Sequence, residues 1–515
     1  KHRAVRVKAA SALEALADNN LESQKAFLDL DAPTALIRLL KVWELEVKEQ
    51  GACALWALAG VTKAQQRYIA ERIGIPALIE MLLLSSEKLQ YVGCMAVSAL
   101  GKENMESQNK IANDNGIEPL VRLLRSPKTT EKVLLAVIKV LGTLCVGVAH
   151  RNNKVTQKKI AEENGITHLV DVLLNPPTPE IQVEVANTLG CVVLCFAPNQ
   201  EKLREETPFR FTLLLDLLDD PDEIIRLKAG MALSIFAFNN TPQQYAIREA
   251  GGIPYESFEP FLESDNEYFQ CYAAFQMVVL ARVIVDADQV SLTAQGVTLL
   301  VNLLSSEDDQ TVILTASLMS SLAHTRAGIT DAMFTMGAIE ALIEKLHSKN
   351  EQVRFSCAIA LGYMTFNRTA MRQLLIACRN TPKLYDRIMS NIGESPRISK
   401  EFTSEFERQK IIGLPCLSLE INGGPPAVPP KRQHGRRPHT TMGGYREQQD
   451  SQTIRATSAP AAVLRSKSAT SLRSRPSTQQ DSRRTEKISV DDIQFKNQRN
   501  RPRSTALKSK LSSWK

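Results

Sequence analysis

The chain has 515 residues, of which 43% are hydrophobic, 23% charged and only 5% aromatic. That balance is ordinary for a soluble protein, and so few aromatic residues argue against a β-sandwich or barrel, whose strands favour them. The net charge of +7 conceals a division: residues 421–515 carry 20 Lys/Arg against 6 Asp/Glu, whereas the first 420 carry 43 against 50. A mildly acidic body is joined to a strongly basic tail.

In chain order, VRVKAASALEALAD opens inside a long helix, so the first unit of the fold is expected to be truncated. A segment then recurs: APTALIRLL at Ala32, GIPALIEMLL at Gly74, GIEPLVRLL at Gly116 and GITHLVDVLL at Gly165. It continues as RFTLLLDLL near Phe209, GIPYESFEPFL at Gly252, GVTLLVNLL at Gly296 and GAIEALIEKL at Gly337. Successive starts lie 42, 42, 49, about 43, about 44, 44 and 41 residues apart, a spacing of helical repeat arrays. Except in the copies at Ala32 and Phe209, which lack it, a Gly suits a left-handed cap, and an apolar helix follows it. A Ser/Pro/Asp-rich break (SSEK, RSPK, NPPTP, DDPD) comes next, and then a longer helix with Ala-Leu pairs. The Asn residues at Asn19–Asn20, Asn239–Asn240 and Asn367 are expected to cap helix C-termini, and His324 to be a satisfied helix-end imidazole.

Three helices per copy with Gly between the first two resembles the armadillo repeat. The resemblance implies an all-α, right-handed α-solenoid of about nine three-helix copies across roughly residues 1–385, the first truncated. The strings QYVGCMAVSAL at Gln90, CVGVAHRNN at Cys145, AAFQMVVLARVI at Ala273, SLAHTRAGI at Ser321 and GLPCLSLEINGGP at Gly413 narrow it. They resemble the armadillo half of the family that joins ankyrin repeats to an armadillo array. That implies ankyrin repeats upstream, protein binding and no assigned chemistry. Domain bounds follow: a solenoid over 1–395, a capping segment over 396–421 with Phe402 and Phe406 inward, and a disordered tail over 422–515, too polar to offset chain entropy.

In importin-α and catenin relatives, an Asn column on the long helices hydrogen-bonds an extended peptide, and Trp residues form pockets between them. Here that column reads Ala15, Ala57, Ala99, Thr143, Cys191, Ile235, Val279, Ser321 and Tyr363, and only Trp56 lies on a long helix. Peptide clamping of that kind is therefore not expected. An apolar groove favours an amphipathic helix or a folded surface, with these ten residues as the candidate contacts.

Nothing in the sequence carries catalysis: GxxxxGK[ST], HExxH and G-x-S-x-G are absent, and the seven His are scattered. Neither a cofactor nor a metal site is expected, because none of the nine Cys forms CxxC. Buried thiols in a reducing compartment are expected instead, hence the cytoplasm, with the nucleus as the alternative. The most apolar run, AAFQMVVLARVIV, holds Arg282 and falls short of the ~20 residues that span a bilayer. In the tail, Pro426, Pro429 and Lys431 form a PxxPxK element, and basic-x-x-Ser/Thr strings end at Thr440, Ser468, Thr478 and Ser504 as phosphorylation candidates. Two functions emerge: a non-catalytic protein-interaction scaffold, or a binder of polyanions (nucleic acid, microtubule or anionic membrane) driven by the basic tail.

Overall fold

The computed structural model describes residues 2–325, 327–381, 383–393 and 397–412. The tail expectations, with Pro426, Pro429, Lys431, Thr440, Ser468, Thr478 and Ser504, lie outside the described residues. Among these, no helix is long and apolar enough to cross a membrane. Among the described residues there are no strands, only two isolated bridges, Val146 with Asn152 and Ile253 with Ile284.

The order of helices repeats the order of motifs. A long helix, α1 (Arg3–Ala17), stands first. Trios follow: α2 (Leu21–Asp29), α3 (Ala32–Leu40) and α4 (Leu45–Ala59); then α5 (Lys63–Ile73), α6 (Ile75–Leu83) and α7 (Glu87–Gly101). Next come α8 (Met105–Asn113), α9 (Ile117–Arg125) and α10 (Glu131–Cys145), and α11 (Lys154–Glu162), α12 (Gly165–Leu174) and α13 (Pro179–Val193). In the following two trios the middle helix shrinks to about a turn: α14 (Ala197–Glu206), α15 (Thr212–Leu215) and α16 (Glu223–Ala237), then α17 (Thr241–Glu249), α18 (Glu259–Leu262) and α19 (Glu267–Leu280). The next copy has two helices only, α20 (Gln289–Leu303) and α21 (Asp309–Leu322). The chain continues through α22 (Ala327–Thr335), α23 (Ala338–Lys345) and α24 (Glu351–Met364) to α25 (Arg368–Asn380), α26 (Leu384–Ile392) and α27 (Lys400–Ile412).

Each long helix packs on the long helix of the next copy, from α1 and α4 through to α21 and α24, while the short helices pack behind them. The Ala-Leu pairs are what this layer buries: Leu55, Leu58, Leu141, Leu144, Leu189 and Leu233 are all fully enclosed. Each such Leu contributes about 1.5–3 kcal/mol before ordering costs. One continuous core runs from Ala10 to Phe406. At its end Phe402 and Phe406 are buried, and Phe406 stacks on Tyr385 at 3.7 Å. The long helices α4, α7, α10, α13, α16, α19, α21 and α24 all carry an acid in the first turn, where it meets the positive end of the helix dipole.

The repeating glycines do not share one job. Gly74 and Gly337 adopt the positive φ expected of a turn. At Gly116 and Gly165 the left-handed residue is instead the preceding Asn115 or Asn164. Those glycines are needed because a Cβ would strike the carbonyl oxygen of Ile111 or Ile160 at 2.9 Å. Gly296 corrects the expected turn outright. It lies inside α20, which runs unbroken where two helices were expected, and a Cβ there would meet Ala274 O at 2.8 Å. Close packing of α19 on α20 explains it.

The Asn pairs divide in the same way. Asn19 and Asn239 take the left-handed conformation after α1 and α16. Asn20, Asn240 and Asn367 are not C-caps: each side chain accepts a backbone N–H at the start of the following helix. Asn104 and Asn153 do the same.

Four residues after each helix-start residue 20, 62, 104, 153, 196 and 240 stands a glutamine: Gln24, Gln66, Gln108, Gln157, Gln200 and Gln244. Every one donates its Nε2 to carbonyls at the C-terminal end of a long helix. Gln24 bonds Ala17 O (2.9 Å), Gln66 bonds Gly60 O (2.8 Å), Gln200 bonds Val193 O (2.9 Å) and Gln244 bonds Ala237 O (2.9 Å). Gln108 reaches Gly101 O (2.8 Å) on its own side, and Val146 O (2.9 Å) and Thr143 O (3.0 Å) in the next copy. Gln157 bonds Cys191 O (2.9 Å) and Leu194 O (3.0 Å), again in the next copy. The last carbonyls of a helix have no partner within it, and this ladder supplies one repeat after repeat.

Gln108 is fully buried, so its replacement by Met strands buried acceptors at about 1–3 kcal/mol per group. Gln108→Met is expected to lower unfolding stability by about 2–4 kcal/mol in urea titrations. The same change at Gln310, exposed on the first turn of α21, is expected to stay within about 0.5 kcal/mol.

Candidate functional site

The layer of long helices leaves one side of α4, α7 and α10 partly uncovered, and those sides form a continuous face. On it Cys53, Trp56 and Ala57 of α4, Tyr91, Met95 and Ala99 of α7, and Leu135, Lys139 and Thr143 of α10 are half-buried. The floor is mainly apolar, with Lys139 and Thr143 as polar members. Thr143 spends its hydroxyl on Lys139 O (2.8 Å), one turn back in its own helix, and Lys132 lies over the Tyr91 ring at 4.1 Å. Of the sequence candidates, Trp56, Ala57, Ala99 and Thr143 belong to this floor, and Ala15 is exposed on α1. Cys53, Tyr91, Met95, Lys132, Leu135 and Lys139 were not among them, although they sit one, two or three turns earlier on the same helix faces.

The rest of the column is not a groove surface. Cys191, Ile235, Val279, Ser321 and Tyr363 are all buried, between 2 and 7% exposed. Ile235 packs against Gly190, where a Cβ would meet its Cγ2 at 3.1 Å. Tyr363 lies under the His324 ring, 4.2 Å between centroids. Nearby, Lys228 of α16 and Glu184 of α13 form an ion pair (3.7 Å) that is itself largely buried. Ser321 is covered by a residue far away in sequence. Between α10 and α11 the chain makes a small closed turn around Val148–His150, which packs on α21. His150 Nδ1 lies 2.7 Å from Ser321 Oγ, and its ring stands 5.3 Å from Phe238 and 5.6 Å from Phe275. Asn239 Nδ2 donates to His324 O (2.9 Å) across the same gap. The expected open groove is therefore filled by the chain's own side chains from α13 onward.

Two imidazoles are half-buried by that closure. Burial lowers His150 to about 4, and burial together with the Arg151 charge lowers His324 to about 4. His324 Nε2 is buried without a hydrogen-bond partner, unlike the satisfied helix-end imidazole expected. No group of three or more His, Cys, Asp or Glu among the described residues could hold a metal. Cys94, Cys145, Cys191, Cys271, Cys357 and Cys378 are buried and unpaired, and burial raises the thiols of Cys191, Cys357 and Cys378 to about 12.

Stacked helix trios, Gly-led second helices and a continuous face of third helices define an armadillo-type α-solenoid. No family model matches the chain. Over 309 residues, 60% of its length, it is 48% identical to the ankyrin and armadillo repeat-containing protein of Homo sapiens; over 308 residues it is 45% identical to that of Mus musculus. The match takes in only 22% and 21% of those proteins, so the chain spans at most a minor part of the curated relatives it matches. Among solved structures, an engineered protein is 23% identical with a TM-score of 0.44, covering 76% of this chain and 95% of that one. A designed armadillo repeat protein in complex with the peptide (KR)4 is 20% identical with a TM-score of 0.39, covering 48% and 98%.

An imidazole held near 4 when folded and near 6.5 when unfolded leaves stability unchanged above pH ~6.5 and lowers it as pH falls towards 4, because the unfolded chain then binds more protons. The urea midpoint is expected to be level from pH 8 to 6.5 and to fall from 6.5 to 5, before most carboxylates titrate. Replacing both rings (His150→Phe with His324→Phe) is expected to flatten that slope, whatever the absolute stability.

Proposed function

We propose that the chain is a non-catalytic protein-interaction scaffold that holds an amphipathic helix or a folded partner on the free face of α4, α7 and α10. One observation carries this reading: that floor offers half-buried apolar side chains and no unengaged amide column, with the Thr143 hydroxyl already bonded to its own helix. A partner here gains from burying side chains, each Leu- or Phe-sized anchor contributing about 1.5–3 kcal/mol before ordering costs. An extended peptide would leave its backbone groups unsatisfied. Six buried, unpaired thiols suit a reducing compartment, so the reading places the scaffold in the cytoplasm or nucleus. A second reading rests on charge: residues 421–515 hold 20 Lys/Arg against 6 Asp/Glu, which would draw nucleic acid, microtubules or anionic membrane.

The test compares variants of the 515-residue chain in one column. Ala57→Asp with Ala99→Asp places charge on the half-buried floor. It is expected to keep the helical circular dichroism signal while weakening partner capture at least tenfold. Ile235→Asp with Val279→Asp places charge in the core and is expected to unfold the chain. Unchanged capture by the folded first variant would reject the groove. Capture that collapses steeply with salt and is indifferent to Ala57 and Ala99 would hand the function to the basic tail.

A further inference from the structure

The turn between α10 and α11 occupies the long-helix face as a ligand would. Its spacing marks it as extra chain: the copies on either side begin 49 residues apart at Gly116 and Gly165, against 42 for each of the two preceding steps. Three backbone hydrogen bonds close it on itself. Gly147 N donates to Arg151 O (2.7 Å), Asn153 N to Cys145 O (2.7 Å) and Arg151 N to Val148 O (3.2 Å). Ala149 and His150 are successive non-glycine residues at positive φ, 56° and 54°. That paired left-handed conformation aims one side chain, the His150 ring, across the face. What the ring meets is made by residues 88 to 171 positions away: Phe238, Phe275 and the Ser321 hydroxyl. Two flat apolar walls and one hydroxyl are complementary to a flat ring with a polar edge.

We propose that Phe238, Phe275 and Ser321 form a ring-binding site, which the chain fills with its own His150 and which a histidine-bearing turn of a partner protein enters by displacing the tip of the turn, residues 147–151. Three features support displacement rather than permanent closure. The turn keeps the backbone hydrogen bonds given above whether docked or not. Apart from the burial of Ala149, the docking of the tip rests on one side-chain hydrogen bond and two ring contacts, whereas the base stays anchored by Gln108 Nε2 on Val146 O (2.9 Å) and by Asn153 Nδ2 on Gln108 Oε1 (2.9 Å). The Val146–Asn152 bridge holds its two ends together, so the tip can swing as a unit. The site is separate from the α4–α10 floor, and its fate does not decide that of the scaffold reading.

The probe is a synthetic nine-residue peptide with the sequence of residues 146–154, VGVAHRNNK, beside the same peptide with His replaced by Ala. Both are titrated against the full chain, against His150→Ala, and against a second variant in which residues 147–151 are all glycine. The His peptide is expected to bind each variant at least tenfold more tightly than it binds the unmodified chain. The Ala peptide is expected not to bind, and adding Phe275→Ala to either variant is expected to abolish binding. In parallel, 4-methylimidazole at millimolar concentration is expected to raise the melting temperature of His150→Ala and not that of the unmodified chain. Equal binding of the His and Ala peptides overturns the proposal. So does a folded variant that binds no better than the unmodified chain. Failure of both variants to fold also overturns it, since the ring would then be part of the core.

Discussion

Every long helix in this solenoid ends with carbonyl groups that its own backbone cannot satisfy, and the stack holds together by how those groups are met. Six glutamines, from Gln24 to Gln244, answer the need at one recurring position. Gln108 and Gln157 each bond carbonyls of the following copy, so the amide that closes a helix end also fixes the distance to the next repeat. Apolar packing supplies most of the free energy, but packing alone leaves neighbouring helices free to slide by a fraction of a turn. Buried amides with defined acceptors do not, because a misplaced repeat would leave polar groups dry.

This use of amides sets what remains for recognition. Polar side chains are committed to the interior of the stack, and the uncovered side of α4, α7 and α10 is left with Trp56, Tyr91, Met95 and Leu135. Farther along, the same side is closed by His150, His324 and the Lys228–Glu184 pair. The face thus has two regimes, an open apolar stretch and a self-filled one, with the α10–α11 turn at the border.

The repeat was legible because packing dictates it locally. A Gly where Ile111 O or Ile160 O comes within 2.9 Å of a Cβ, followed by Leu at helical spacing, must recur whenever the unit recurs. The Gln ladder was equally written in the sequence, as Asn-x-x-x-Gln at Asn20, Asn104, Asn153 and Asn240. It stands on the first helix of each copy, outside the long-helix column. The Asn20 and Asn240 caps are ambiguous in sequence: a residue between two helices can serve either. The burial of Cys191, Ile235, Val279, Ser321 and Tyr363 was not legible at all. It depends on how tightly successive copies curve, and nothing at position 321 announces a partner at position 150. Gly296 misled because the same motif that turns the chain at Gly74 lies inside a continuous helix there.

The His150–Ser321 contact also changes how the chain can be assembled. A solenoid held only by neighbours is a one-dimensional stack that can start anywhere and grow outward. A tie across 171 residues makes part of that line a ring. Closing so long a loop in an unfolded chain would cost roughly 4–5 kcal/mol from the length-dependent entropy alone, more than one hydrogen bond and two ring contacts return. The tie therefore forms late, after the intervening copies have stacked and brought its ends within reach. Zippering comes first and clasping second, so the half of the molecule that holds the clasp has a long-range step in its assembly that the N-terminal copies lack.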